Sequence, residues 1–88
     1  MNAPAAPALR RVSVRLFALL REQAGRSEWD TVTACATPAE LYRSLQQELP
    51  LALAAELVRV AVNGAYADPQ RPLQDGDRVV FIPPVAGG

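Results

Sequence analysis

The sequence predicts a small α+β domain in which one main helix packs across a mixed sheet of about five strands. Alternating segments lie before and after a single strongly amphipathic stretch near the middle of the chain. Residues 78–82, RVVFI, are almost continuously apolar, which is typical of a central strand covered on at least one face. The long segment between the first and last strands allows the crossover that parallel pairing needs, so we expect these two strands to be parallel neighbours.

The first third of the chain predicts two strands with a short helix between them. Residues 9–17 alternate between apolar side chains and arginine or serine, as in a half-buried strand. The good helix formers at 18–24 stop at Gly25, so we expect one or two helical turns. Residues 29–33 are β-branched and aromatic and predict a second strand, hairpin-like with the first.

The main helix is predicted for residues 38–49. Thr37 is a good N-cap, Pro38 suits the first helical position, and Glu40 is expected to complete a capping box. Pro50 ends the helix. The apolar stripe at helical spacing consists of Leu41, Tyr42, Leu45 and Leu49.

The rest of the chain predicts a hairpin and a closing strand. Residues 51–57 are helix-prone and could form a second small helix. Residues 58–62 alternate, and Asn63-Gly64 is the strongest short hairpin signal, so residues 65–67 are expected to return as a strand. Residues 75–77, Asp-Gly-Asp, predict a tight turn before the last strand.

The composition excludes several classes of function. The formal net charge is zero, so no global field favours nucleic acid or an anionic membrane. Histidine, the usual general base near neutral pH and the commonest metal ligand, is absent. The single cysteine, Cys35, allows neither an intrachain disulfide nor a cysteine-based metal or iron–sulfur site. All nine basic residues are arginine, so the chain has no lysine through which it could be conjugated.

The expected domain organisation is a disordered leader at 1–8, a folded domain at 9–82 and a flexible tail at 83–88. The leader has two prolines, no apolar h-region and arginines on the wrong side for a signal peptide. The apolar runs fall far short of the roughly 20 residues of a membrane span. We therefore expect a cytoplasmic protein without nucleic-acid or membrane partners.

The tail holds the best candidate for a reactive group. Pro83-Pro84 ends strand pairing and favours an extended chain, and six residues beyond Ile82 reach about 20 Å. Because Gly87 and Gly88 have no side chains, the tip can thread a tunnel that any Cβ would obstruct. The Gly88 carboxylate can be activated as an acyl-adenylate. A chance Gly-Gly ending, or a remnant of cloning, is the alternative interpretation.

Three stretches carry a resemblance to a known family: VRLFALLREQAG at 14–25, VNGAYADPQRPLQDGDRVVFIPP at 62–84 and PPVAGG at 83–88. From about Leu9 onward, the chain resembles the small sulfur-carrier subunits of molybdopterin synthase. These belong to the ubiquitin-like β-grasp proteins of the MoaD/ThiS type. The Ala/Pro leader extends beyond the usual start of the family, and the main helix matches only in pattern.

The resemblance implies a mechanism in which partners supply the catalysis. A ubiquitin-activating-type adenylyltransferase, using ATP and Mg²⁺ that this chain does not bind, would adenylate Gly88. Sulfur from a persulfide donor would displace AMP and leave a thiocarboxylate. The tail would then enter the large catalytic subunit of molybdopterin synthase, in a heterotetramer of two small and two large subunits, and donate sulfur to cyclic pyranopterin monophosphate. The chain would be an enzyme only as this sulfur-donating subunit.

The same resemblance implies partner-binding residues. Gly87 would supply clearance at the tip. The residues expected to line the partner's tunnel are Pro83, Pro84, Val85 and Ala86. The candidates for an apolar docking patch, each of which could equally be an ordinary core residue, are Phe17, Phe81 and Ile82. Arg21 is expected to form an ion pair at the interface.

Three other functions stay open. The same sulfur chemistry serves thiamin, cysteine or tRNA thiolation in sister pathways. A ubiquitin-like modifier would instead end in an isopeptide bond between Gly88 and a lysine of another protein. The third alternative is a passive β-grasp interaction domain.

Overall fold

The computed structural model describes residues 8–84 and has the predicted α+β architecture, with two helices and a five-stranded mixed sheet. The strands and helices follow in the order β1 (Arg10–Leu16), α1 (Ala18–Ala24), β2 (Glu28–Thr33), α2 (Pro38–Glu48), a 3₁₀ turn (Ala55–Leu57), β3 (Arg59–Val62), β4 (Ala65–Ala67) and β5 (Arg78–Ile82).

The sheet has the strand order β2-β1-β5-β3-β4, so β5 is central, as its apolar sequence predicted. It runs parallel to β1, with Leu16 opposite Phe81, and antiparallel to β3, with Val60 opposite Phe81. The parallel pairing of the first and last strands is therefore confirmed. Strands β2 and β4 lie at the two edges.

The hydrophobic core lies between α2 and one face of the sheet. Alternate residues of the three inner strands point into it because successive strand side chains face opposite ways. In this core, the ring of Tyr42 of α2 packs against that of Phe81 of β5, with ring centroids 5.3 Å apart. The Tyr42 hydroxyl donates to the Leu53 carbonyl at 2.7 Å, and burial raises the pKa of Tyr42.

Helix α2 begins as predicted and ends one residue earlier. Thr37 is extended, and its hydroxyl accepts from the Glu40 N–H at 3.2 Å. The capping-box prediction was wrong in its second half, since among the described residues the Glu40 carboxylate makes no return bond to Thr37. Leu49 is already extended, with φ −124° and ψ 150°, because a residue before proline is driven out of the helical region.

The second small helix at 51–57 is reduced to the single 3₁₀ turn. The carbonyls of Leu51 and Leu53 accept hydrogen bonds from the Gln46 side chain, and Leu53 also accepts from Tyr42. These carbonyls accept hydrogen bonds from side chains of α2 and do not form the backbone hydrogen bonds of a helix. Their side chains contribute to the core, so packing against α2 overrides the helical propensity of this segment.

Candidate docking face and C-terminal exit

The central strand leads directly into the C-terminal residues that the sequence predicts to be reactive or to bind a partner. Strand β5 ends at Ile82, and Pro83, which the sequence assigned to the tail, is buried, whereas Pro84 is exposed. The folded domain thus extends through Pro83. The other four predicted tail residues lie outside the described residues: Val85, Ala86, Gly87 and Gly88.

Phe81 belongs to the core and corrects the expected docking patch. Its side chain is 0 % exposed and packs against Tyr42. The register explains this placement, because Phe81 lies opposite Leu16 and Val60, which face the core as well. An isolated chain therefore cannot offer Phe81 to a partner.

Ile82, Phe17 and Arg21 remain at the surface. Ile82 is half-buried and points to the opposite face from Phe81. Phe17 is 40 % exposed, and the Arg15 guanidinium lies 4.9 Å from the centre of its ring. Arg21 is exposed one helical turn beyond Phe17, and it forms no ion pair with any residue in 8–84. The structure thus brings Phe17 and Arg21 to the corner between β1 and α1.

The sheet face turned away from α2, here called the open face, presents the predicted Ile82 together with several residues that the sequence did not single out. Strands β3, β4 and β5 contribute the following residues to this face: Arg59, Ala61, Tyr66, Arg78, Val80 and Ile82. Within residues 8–84, Tyr66 is the most exposed of the large apolar residues, at 72 %. The signal was present in the alternation of RVAV and RVVFI, but the face to which each residue turns follows only from strand pairing.

Charge is unevenly distributed over this open face. Its acids lie on the edge strand β2, where Glu28 is 3.9 Å from Arg15 and Asp30 accepts from the Ser13 hydroxyl at 2.9 Å. Strands β3, β4 and β5 contain no acidic residue. A chain of zero net charge therefore has a locally basic surface beside its C-terminal exit.

A buried carboxylate holds the start of β5. The side chain of Asp77 is hydrogen-bonded by Asn63 Nδ2 at 2.9 Å, the Gln74 N–H at 2.8 Å and Arg71 at 3.3 Å. Burial alone would raise the pKa of Asp77, but these hydrogen bonds and the Arg71 charge outweigh it and lower the pKa below its usual value. Asn63, at φ +53°, also accepts from the Arg78 N–H at 2.9 Å. The β3–β4 turn and the predicted Asp-Gly-Asp turn are thereby tied together.

No three acidic, cysteine or histidine side chains within residues 8–84 come together as metal ligands. Neither helix found there has the length and apolar character needed to cross a membrane.

Comparison with known proteins places this geometry in a family. Residues 14–88 match the ThiS family. A search of curated proteins gave no match. Among solved structures, the chain is similar to the HVO 2177 protein of Haloferax volcanii, with 30 % identity over 99 % of this chain and 94 % of that one and a TM-score of 0.78.

Two further structures have informative descriptions. The modifier protein SAMP1 of Haloferax volcanii is 27 % identical over 89 % of this chain and 99 % of that one, with a TM-score of 0.70. A chain in the complex of subunits 1 and 2 of molybdopterin-converting factor from Helicobacter pylori is 29 % identical, with the same coverage and a TM-score of 0.59. The fold is the ubiquitin-like β-grasp.

Proposed function

The chain belongs to the ThiS family, and on this basis we propose that it is the sulfur-carrier small subunit of molybdopterin synthase. Membership makes it a β-grasp protein of the sulfur-carrier and ubiquitin-like-modifier type. The observation that carries the narrower proposal is the PPVAGG ending attached directly to the central strand. It is supported by the likeness to a chain of the Helicobacter pylori molybdopterin-converting complex.

The proposed reaction needs only the carboxylate of Gly88 from this chain. Its oxygen attacks the α-phosphate of ATP in the adenylyltransferase, and pyrophosphate leaves. A persulfide then attacks the acyl carbon, AMP leaves, and a second thiol cleaves the sulfur–sulfur bond, becoming part of a disulfide as the thiocarboxylate is released. In the large subunit, the thiocarboxylate sulfur passes to cyclic pyranopterin monophosphate, and Gly88 regains a carboxylate oxygen from water.

The described residues of this chain act by fixing the point at which the tail begins. Strand β5 is hydrogen-bonded on both sides, to β1 and to β3, so the point at which the tail begins has little freedom to move. Pro83 is buried, and neither proline offers an N–H for further pairing. A fixed origin reduces the entropy lost when a partner binds the tail, which is the advantage of preorganisation.

Intact-mass spectrometry tests the sulfur-carrier step. The wild-type chain is incubated with ATP, Mg²⁺, the adenylyltransferase of the same organism and a persulfide donor. We expect one oxygen to be replaced by sulfur at the C-terminus. Deletion of Gly88 should abolish the change without lowering the melting temperature, whereas deletion of Ala3 from the leader, a control of equal length, should leave it intact. An unchanged wild-type mass with partners active on another carrier would refute the proposal.

The pathway is tested by adding the synthase large subunit and cyclic pyranopterin monophosphate to the thiocarboxylated chain. Formation of the molybdopterin dithiolene, with return of the original mass, is the expected result. Efficient thiocarboxylation without any dithiolene would leave a sulfur carrier and reject molybdopterin in favour of thiamin, cysteine or tRNA thiolation.

A ubiquitin-like modifier is the second candidate, favoured by the likeness to the modifier protein SAMP1. In that function, a lysine of another protein would attack the activated Gly88 and form an isopeptide bond. Because this chain contains no lysine, it can be the donor but not a side-chain acceptor of such bonds. High-mass conjugates carrying a single copy per modified lysine would support this function over the first.

We further propose that the chain binds no cofactor of its own and works in the cytoplasm. The activating reaction consumes ATP and Mg²⁺, which the adenylyltransferase binds, and ATP is supplied in that compartment. We expect neither a nucleic-acid partner nor a membrane partner, because the sequence carries no net positive charge to attract phosphates or anionic lipids.

A further inference from the structure

The β3–β4 turn places an asparagine directly before a glycine at the surface, where both residues are exposed to water. We propose that Asn63-Gly64 is a deamidation site, closed while Asn63 is bonded to the start of β5 and reactive when these contacts open locally. The Asn63 side chain loses its amide as ammonia, and the carboxylate that results prevents the contacts from forming again. This modification limits the lifetime of the fold, whichever of the proposed functions the chain performs.

The reaction needs only water and hydroxide besides the chain itself. The Gly64 backbone nitrogen gives up its proton to hydroxide and attacks Cγ of Asn63. A nitrogen–carbon bond forms, the Cγ–Nδ2 bond breaks, and Nδ2 takes a proton from water and leaves as ammonia. Water then opens the cyclic imide at either carbonyl, leaving aspartate with a normal peptide bond or isoaspartate with the main chain running through Cγ. Glycine favours the attack because no Cβ crowds its nitrogen.

Hydrogen bonds to the start of β5 keep Asn63 from reacting. Its Nδ2 donates to Asp77 at 2.9 Å, and its Oδ1 accepts from the Arg78 N–H at 2.9 Å. The Asn63 N–H also donates to the Arg78 carbonyl at 2.9 Å. Ring closure rotates the amide toward the Gly64 nitrogen and makes Cγ tetrahedral, so the side-chain bonds have to break first. The bond to the buried Asp77 carboxylate is the stronger kind, because its acceptor is charged.

Neither product can restore these contacts. An aspartate at position 63 places a carboxylate oxygen where Nδ2 now lies, 2.9 Å from an oxygen of Asp77. Two carboxylates at this distance repel each other strongly when both are ionised. Isoaspartate adds a carbon to the main chain of the turn, which disturbs the pairing of Val62 with Ala65. Deamidation therefore separates the β3–β4 turn from the start of the central strand irreversibly.

Only a small part of the molecule has to move for the site to open. Strand β4 is an edge strand of three residues, and residues 63–66 are all exposed. Because few apolar contacts are lost when the turn leaves β5, such an opening is more frequent than global unfolding. The strength of the contact with Asp77 consequently controls how often the site becomes reactive.

Peptide mapping by mass spectrometry measures the loss of the Asn63 amide while the full chain is incubated at mildly alkaline pH. Methylation by an isoaspartate methyltransferase verifies isoaspartate in the same peptide. The samples are the folded wild type, the wild type unfolded in concentrated urea, and Asp77→Ala, which removes the carboxylate without adding another asparagine. The matched control is the wild type at the lower urea concentration that reduces its free energy of unfolding to that of Asp77→Ala. Circular dichroism verifies that Asp77→Ala is folded, and the comparison of folded with unfolded wild type tests protection without any variant.

We expect Asn63 of the folded wild type to deamidate about thirty-fold or more slowly than in concentrated urea, because hydrogen bonds to a charge and to the backbone must open first. Asp77→Ala should react about ten-fold or more faster than the folded wild type. The matched control should stay well below that rate, since a local opening exposes little surface to urea. In concentrated urea, Gly64→Ala should slow the reaction toward the rate at Asn2, which precedes Ala3.

The effect of the product on the fold is tested separately with Asn63→Asp. Its midpoint of urea unfolding should fall by about 2 M, because a hydrogen bond to a buried charge is replaced by repulsion. Asn2→Asp makes the same chemical change in the leader and should leave the midpoint unchanged.

Four results would overturn the inference. Equal rates in folded and urea-unfolded wild type show that the fold gives no protection. A matched control that reacts as fast as Asp77→Ala assigns the reaction to global unfolding. The absence of Asn63 deamidation in concentrated urea removes the site altogether. A wild-type midpoint in Asn63→Asp shows that the product fits the turn.

Discussion

Replacing Asp77 by asparagine tests the polar network that fixes the start of the central strand. Asp77 is 4 % exposed, and both of its carboxylate oxygens accept hydrogen bonds. One oxygen accepts from Asn63, and the other accepts from the Gln74 N–H and from Arg71. An asparagine has one oxygen only, so one of these positions must receive an NH₂ group.

Neither orientation of the new amide satisfies the network. Keeping its oxygen toward Gln74 and Arg71 places its NH₂ against the Asn63 NH₂. The reverse orientation places its NH₂ against the Gln74 N–H and the Arg71 guanidinium, which are also donors. Turning the Asn63 amide over to avoid the first of these contacts would direct that NH₂ at the Arg78 N–H, which now donates to Asn63 Oδ1 at 2.9 Å. At least one hydrogen bond to a buried charge is therefore lost, which costs about 2–3 kcal/mol.

Urea unfolding followed by circular dichroism measures this cost. With a slope of about 1 kcal/mol/M for a domain of this size, the midpoint should fall by about 2–3 M in Asp77→Asn. Asp75→Asn is the matched control in the same turn, because Asp75 is exposed and asparagine keeps an oxygen for the Arg11 N–H, now 2.7 Å away. Its free energy of unfolding should change by less than about 0.5 kcal/mol. Equal midpoints for the two variants would refute the reasoning.

Three further predictions concern stability. The first concerns pH, since the pKa of Asp77 is lowered in the folded state. The stabilisation by its carboxylate is present above the unfolded pKa of about 4 and is lost as the pH falls through the lower folded pKa. The difference in free energy of unfolding between wild type and Asp77→Asn should therefore narrow in urea titrations from about pH 7 to about pH 3, and a constant difference would contradict this. Phe81→Ala should lower the free energy of unfolding by about 3–5 kcal/mol, as for a fully buried aromatic residue, and by clearly more than Ile82→Ala; the reverse order would place Phe81 at the surface. Thr37→Ala removes the hydroxyl that caps α2 and should cost about 1 kcal/mol by thermal or urea unfolding, with a loss near zero counting against the cap.

Features that depend on neighbouring residues were predictable from the sequence. Thr37-Pro38 marked the start of α2, and Asn63-Gly64 marked the hairpin; in the structure both positions of that turn have positive φ, +53° and +88°. Such signals are local because a cap or a tight turn needs only the dihedral angles and hydrogen bonds of a few consecutive residues. The bounds of α1, β4 and β5 agree with the sequence prediction, and those of β2, α2 and β3 differ by one residue at one end. Strand β1 is one residue shorter at each end, and the predicted helix at 51–57 is reduced to the turn at Ala55–Leu57.

The face to which a strand residue turns was less predictable where the strand is apolar on both sides. In RVVFI, the sequence left Phe81 and Ile82 as equal candidates for core or docking patch. Pairing with β1 and β3 places Phe81 in the core and Ile82 on the open face. A shift of one residue in register would exchange them, and no local signal in the strand excludes that shift.

The sequence by itself determined the element order, the central position of the last strand, the absence of lysine and histidine, and the Gly-Gly ending on which the proposed chemistry depends. Only the tertiary structure decided that Arg59 and Arg78, 19 positions apart by number, flank one apolar surface on adjacent strands beside the exit of the chain. The physical reason is the range of the interactions: turns, caps and composition are properties of neighbouring residues, whereas a surface is assembled by strand pairing between distant ones.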